Sequence, residues 1–206
     1  MDMKYDPQKH HRESIRLKGY DYSQPGGYFV TIVAQNRECL FGEVVEGETR
    51  LSRAGRIVQN AWMDLPNHYP HVALDEFVIM PKPMHGIIVL MDTGRGRSVS
   101  GEIVLPDKYW DSMEPVPDLD QTCPYTIDKS TRSYKYRHGL PEIVRAFKSF
   151  SARRINAMRR SPGRPVWQRN YYERIIRDEV ELQRIREYIR YNPSQWESDQ
   201  ENPGRG

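Results

Sequence analysis

The chain has 206 residues, 37% of them hydrophobic and 29% charged, which suits one domain with a small core. No run of about 18 apolar residues occurs and the N-terminal residues hold no apolar signal-peptide core, so no membrane association is expected. Cys39 and Cys123 fit neither a zinc spacing nor a disulfide framework, which points to a reduced, cytoplasmic chain. The net charge of +3 is unevenly placed: residues 129–190 carry 17 Lys and Arg against 6 Asp and Glu, a local net of +11. Aromatic residues, Tyr134, Tyr136, Phe147, Phe150, Trp167, Tyr171 and Tyr172 among them, run through the same stretch. Cations hold phosphates and rings stack on bases, so a nucleic-acid partner is expected there.

Residues 1–17 are polar and predict a flexible tail ahead of one folded domain at 18–193. Turn residues at Gln24-Pro25-Gly26-Gly27 lead into Tyr28–Ala34, rich in β-branched and aromatic residues and read as a buried strand. Leu40–Val45 predicts a second short strand that turns at Glu46-Gly47. Ser52 caps a predicted helix to Leu65, with Ile57, Val58, Ala61, Trp62 and Leu65 on one stripe and Pro66 as its stop. Leu74–Met80 and Met84–Leu90 read as strands joined through Pro81-Lys82-Pro83. Neither proline can donate a ladder hydrogen bond, so the junction is an edge, bulge or turn.

Residues 94–139 contain several prolines and few apolar runs, and read as a loop insertion rather than a second domain. Helical spacing returns at Leu140, with Pro141 at a first-turn position and Ile143, Val144, Phe147, Phe150, Ile155 and Met158 recurring. Arg145, Lys148, Arg153 and Arg154 on this helix, with Arg169 and Arg177 downstream, are the candidate DNA-binding residues. Val166–Gln168 and Arg174–Arg177 read as short extended pieces. Asp178 and Glu181 have the spacing of a capping box, opening a helix that Asn192-Pro193 is expected to close before a flexible tail at 194–206. Tyr188 and Asn192 fall one turn apart at the edge of the stripe formed by Leu182, Ile185 and Ile189.

Seven phrases, in order, carry a resemblance: Arg16-Leu17-Lys18-Gly19-Tyr20-Asp21-Tyr22; Tyr28-Phe29-Val30-Thr31; Gln35-Asn36-Arg37; Met80-Pro81 with His85-Gly86-Ile87; Phe147-Lys148-Ser149; Trp167-Gln168-Arg169-Asn170-Tyr171-Tyr172; and Tyr188-Ile189 with Asn192-Pro193. Together they resemble the REP-associated tyrosine transposases, single-tyrosine members of the HUH class related to small insertion sequences. The resemblance spans residues 16–193 except the insertion. It implies an α+β, ferredoxin-like domain: a central antiparallel sheet with helices packed on one face. It also implies binding of single-stranded or hairpin DNA at repeated extragenic palindromes, with nicking and rejoining through a phosphotyrosine, by a monomer or homodimer.

Carried over by position, Tyr188 is the nucleophile, and His85 and Asn192 are ligands of a divalent metal, Mg²⁺ or Mn²⁺. Two histidines at i and i+2 on a strand point the same way and can share one metal. Here the first of the two positions is Pro83, which has no lone pair to give, so metal binding is expected to be weakened and nicking impaired. The expectations that compete with an active transposase are a non-catalytic DNA-binding relative and a small basic RNA-binding module. An exposed aromatic pair on adjacent central strands would favour the RNA module.

Overall fold

The computed structural model describes residues 17, 19–92 and 138–196. The expected N-terminal tail, the insertion and the C-terminal tail fall almost wholly outside the described residues, as do Cys123, Tyr134 and Tyr136.

Strand β1 (Gly26–Val33) leads, through one 3-10 turn at Gln35–Arg37, to the hairpin β2 (Gly42–Val45) and β3 (Glu48–Leu51). Glu46 and Gly47 both take positive φ, the two-residue turn whose twist matches that of paired strands. Helix α1 (Arg53–Met63) starts where the Ser52 hydroxyl accepts from the Gly55 N–H at 3.1 Å. The helix does not run to Pro66 as the sequence suggests. It ends at Met63, and Pro66 sits in the first turn of a separate short helix, α2 (Leu65–His68), where its missing N–H costs nothing. Strands β4 (Val72–Ile79) and β5 (Pro83–Leu90) follow, joined by a turn in which the Met80 N–H donates to the Pro83 carbonyl at 2.9 Å. Pro83 therefore opens a strand, one of the positions in a sheet that tolerate it.

After the undescribed segment come α3 (Leu140–Arg159), β6 (Tyr172–Ile176) and α4 (Glu179–Gln195). Asp178 accepts from the Glu181 N–H at 2.8 Å, and the Glu181 carboxylate reaches back to the Arg177 N–H at 2.9 Å. That hydrogen bond, with the Arg174 guanidinium, holds the Glu181 carboxyl below its ordinary range. Contrary to expectation, α4 runs through Asn192-Pro193 to Gln195. Proline removes one helical hydrogen bond, and the helix survives it for only half a turn.

The four-stranded sheet has the order β4-β5-β1-β6, with every pairing antiparallel. This is the expected α+β, ferredoxin-like core. Its helices, however, lie on both faces, because β1 is apolar on both. Tyr28, Val30 and Ile32 pack with α1 and α3 in the main core, beside Trp62, Ile143 and Phe147. Phe29 points the other way and joins Ile87, Ile185 and Ile189 in a second cluster under α4. Strand alternation separates the two sets.

Gly86 faces the main core, where a Cβ would lie 2.6 Å from the buried Trp62 indole. Only glycine lets α1 seat its tryptophan against β5.

Candidate functional site

The face of the sheet under α4 is built in rows. One row runs Tyr172 on β6, Thr31 on β1, His85 on β5 and Val78 on β4, each directly paired with the next. Thr31 Oγ1 lies 2.9 Å from His85 Nδ1, a hydrogen bond that fixes the imidazole plane and assigns one ring nitrogen to the protein. Phe29, in the next row, stacks on that imidazole with ring centroids 5.9 Å apart and planes 7° from parallel. His85 is thus buried and oriented by its two neighbours on β1.

Tyr188 comes down on this pair from α4. Its ring meets His85 edge-on at 5.3 Å and Phe29 edge-on at 6.0 Å. The side chain is 46% exposed, so one side of it packs while the rest faces solvent. At the C-terminal end of α4, the ring of Trp196 lies 5.9 Å from Lys82 Nζ. Asn192 is half-buried one turn after Tyr188 on α4. Pro83 shares the strand face of His85 by the period of two.

Helix α4 is anchored by charges that the sequence does not flag. The β4–β5 register shifts between Leu74 and Phe77. On either side of this bulge Val72, Leu74, Phe77 and Ile79 all face the main core, so Asp75 and Glu76 both turn toward α4. Arg186 grips Asp75 with two hydrogen bonds, Nε to Oδ1 at 2.9 Å and Nη2 to Oδ2 at 2.6 Å, and Arg190 grips Glu76 one turn later. Burial pushes the Asp75 carboxyl up, but Arg186 and the Glu76 N–H outweigh it and the net displacement is downward. Asp75 and Glu76, the oxygen donors that could have stood in for the lost histidine, are therefore occupied.

Proline stands at position 83, and Thr31 engages Nδ1 of His85, so a metal at this imidazole would have to take Nε2. Among the described residues no group of three His, Cys, Asp or Glu is placed to hold a metal ion. The other described histidines near the helices are engaged elsewhere: His68 Nε2 lies 2.9 Å from Asp64 Oδ2, and His71 Nε2 lies 2.9 Å from the His138 carbonyl.

The candidate DNA-binding residues divide. Arg145, Arg153 and Arg154 are exposed on the outer side of α3, across the sheet from Tyr188. Arg169 and Arg177 are exposed on the segments that flank β6. Lys148 differs: its ammonium donates to the Gln168 carbonyl at 2.6 Å and the Arg169 carbonyl at 3.0 Å, and burial lowers its pKa to about 8. It pins the segment that carries Arg169.

The sequence reading passed over Phe29, Thr31, Arg186 and Arg190. The first two were legible: residues of odd number on β1 alternate with the core set. The two arginines were not, because their partners lie 111 and 114 positions away.

No family model matches the chain. A protein of Haemophilus influenzae described as uncharacterized is 40% identical over 200 residues, which cover 97% of this chain and 98% of that one. Among solved structures, a REP-associated tyrosine transposase bound to a REP hairpin is similar at 16% identity and a TM-score of 0.49, over 87% of this chain and 73% of that chain. A Deinococcus radiodurans protein assigned to the transposases is similar at 14% identity and a TM-score of 0.40, over 84% and 94%. Overlaps this loose carry no argument about function. Among the described residues no helix is long and apolar enough to cross a membrane.

Proposed function

We propose that this chain, which belongs to the same family as the Haemophilus influenzae protein, binds single-stranded or hairpin DNA and is built on the plan of a single-tyrosine transposase. The observation that carries the reading is the contact of Tyr188 with His85 and Phe29. The resemblance names Tyr188 and His85 from phrases about 100 residues apart, and their rings meet on the sheet face under α4.

In the reaction this plan supports, the Tyr188 oxygen attacks phosphorus in a single strand. The tyrosine hydroxyl loses its proton as its oxygen bonds to phosphorus, the bond to the 3′-oxygen breaks, and that oxygen takes up a proton to leave as a 3′-hydroxyl. Phe29 and Thr31 hold His85 beneath the tyrosine. The exposed arginines of α3, across the sheet, and of the β6 flanks draw DNA to the molecule by their charge, without reading sequence.

Pro83 favours a second reading beside the first: DNA binding retained and nicking impaired. Mg²⁺ or Mn²⁺ would find one imidazole and one amide here, too few for firm binding. The aromatic residues of central strand β1, Tyr28 and Phe29, are buried, which gives the RNA-module reading no exposed pair on that strand.

The test is equilibrium binding of the full chain to a hairpin with an unpaired extension, across a salt series. The reading expects binding that weakens steeply with salt. Binding that ignores salt, or its absence at low salt, overturns it.

A further inference from the structure

Tyr172, one of the rings in the basic stretch where a nucleic-acid partner is expected, belongs to the same face as the site but has no role yet at Tyr188. It stands in the Thr31–His85 row, on β6, which forms one edge of the sheet. Its ring meets Phe29 edge-on at 6.4 Å, so Tyr172 and Tyr188 pack against the same phenylalanine. The preceding residue, Tyr171, faces the main core and packs there. Tyr172 joins neither apolar cluster and is 48% exposed. A tyrosine on a strand often reflects β-propensity alone. This one differs in being a large ring, half in water, in register with the candidate catalytic pair.

We infer that Tyr172 is a stacking platform for an unpaired base of the strand held at Tyr188, so that the strand enters over the β6 edge. The inference rests on the reading of this face as a single-stranded DNA site. Two strand spacings, about 10 Å, separate Tyr172 from His85 along the row. That is the reach of a base next to the reacting phosphate. The π-face of a base is available to a protein ring only when the base is not stacked within a duplex, so such a platform selects single strands over paired ones and tolerates any base.

The experiment compares three ligands on the full chain: oligothymidine, an abasic oligomer of equal length, and a blunt duplex. Tyr172→Val keeps a β-branched strand residue and removes the ring; Tyr172→Phe and Tyr172→Trp keep a ring. The expected result is about a tenfold loss of oligothymidine affinity in the valine variant, with no change in abasic or duplex binding. The phenylalanine and tryptophan variants should bind like the wild type. If the valine variant binds oligothymidine as well as the wild type, or loses abasic binding to the same degree, Tyr172 is no platform and the inference falls alone. If the wild-type chain binds no single strand, the reading beneath it falls first, and that is seen before any variant is made.

Discussion

Replacing Asp75 by Asn should loosen α4 without loosening the rest of the molecule. The carboxylate accepts two hydrogen bonds from Arg186, and an amide can accept only one, with no charge to match the guanidinium. Charge-assisted hydrogen bonds contribute about 1.5–3 kcal/mol and exposed ion pairs about 0–1 kcal/mol. The Arg186 and Asp75 side chains are 25% and 19% exposed, between those cases, so a loss of about 1–2 kcal/mol follows. That is a 5- to 30-fold rise in any state with α4 undocked, by roughly the usual conversion.

Amide hydrogen exchange reads this directly. The amides of α4 should exchange faster in Asp75→Asn by about that factor, while those of α3 keep their protection. The effect must also depend on pH. The folded-state pKa of Asp75 lies below its ordinary 3.8, so its carboxylate stabilises the native state above that value. The contribution fades as pH falls through the lower, folded pKa, where variant and wild type should converge. Unchanged exchange in α4, or equal acceleration in α3, would refute the latch.

Neutralising Arg153 and Arg154 together should weaken binding to all DNA sequences about equally and flatten the salt dependence, as a filter-binding series would show. Gly86→Ala should cost about 1–3 kcal/mol in urea unfolding, since the new methyl collides with Trp62 in a filled core. A Thr31→Val variant should leave the fold intact and release the His85 ring, seen as a change in the His85 Nδ1 chemical shift.

Much of the fold is legible in the sequence because it rests on local chemistry. Ser52 and the Asp178–Glu181 box mark real helix starts, and the Glu46-Gly47 turn sits where its backbone requires. What the sequence hides depends on contacts across the chain. The bulge at Asp75-Glu76 leaves no mark of its own, yet it alone aims two carboxylates at α4. The second apolar face of β1 reads as simple burial until α4 is seen covering Phe29. Prolines misled at both helix ends: Pro66 begins a turn of helix and Pro193 lies inside one. Of the site, Tyr188 and His85 came from the resemblance and not from their positions, since neither spacing nor polarity marks one tyrosine among 13.

The most direct measurement of the central claim is a search for a covalent DNA adduct at Tyr188 by mass spectrometry. Wild type, Pro83→His, and Pro83→His with Tyr188→Phe are incubated with a single-stranded hairpin and Mg²⁺ or Mn²⁺, each variant first shown to be folded. The account predicts little or no adduct in the wild type, a metal-dependent adduct at Tyr188 in the Pro83→His protein, and none in the double variant despite retained DNA binding. Robust Tyr188-dependent cleavage by the wild-type chain would contradict the reading of Pro83 as disabling. A folded Pro83→His protein that binds DNA and forms no adduct would contradict the assignment of Tyr188 as nucleophile.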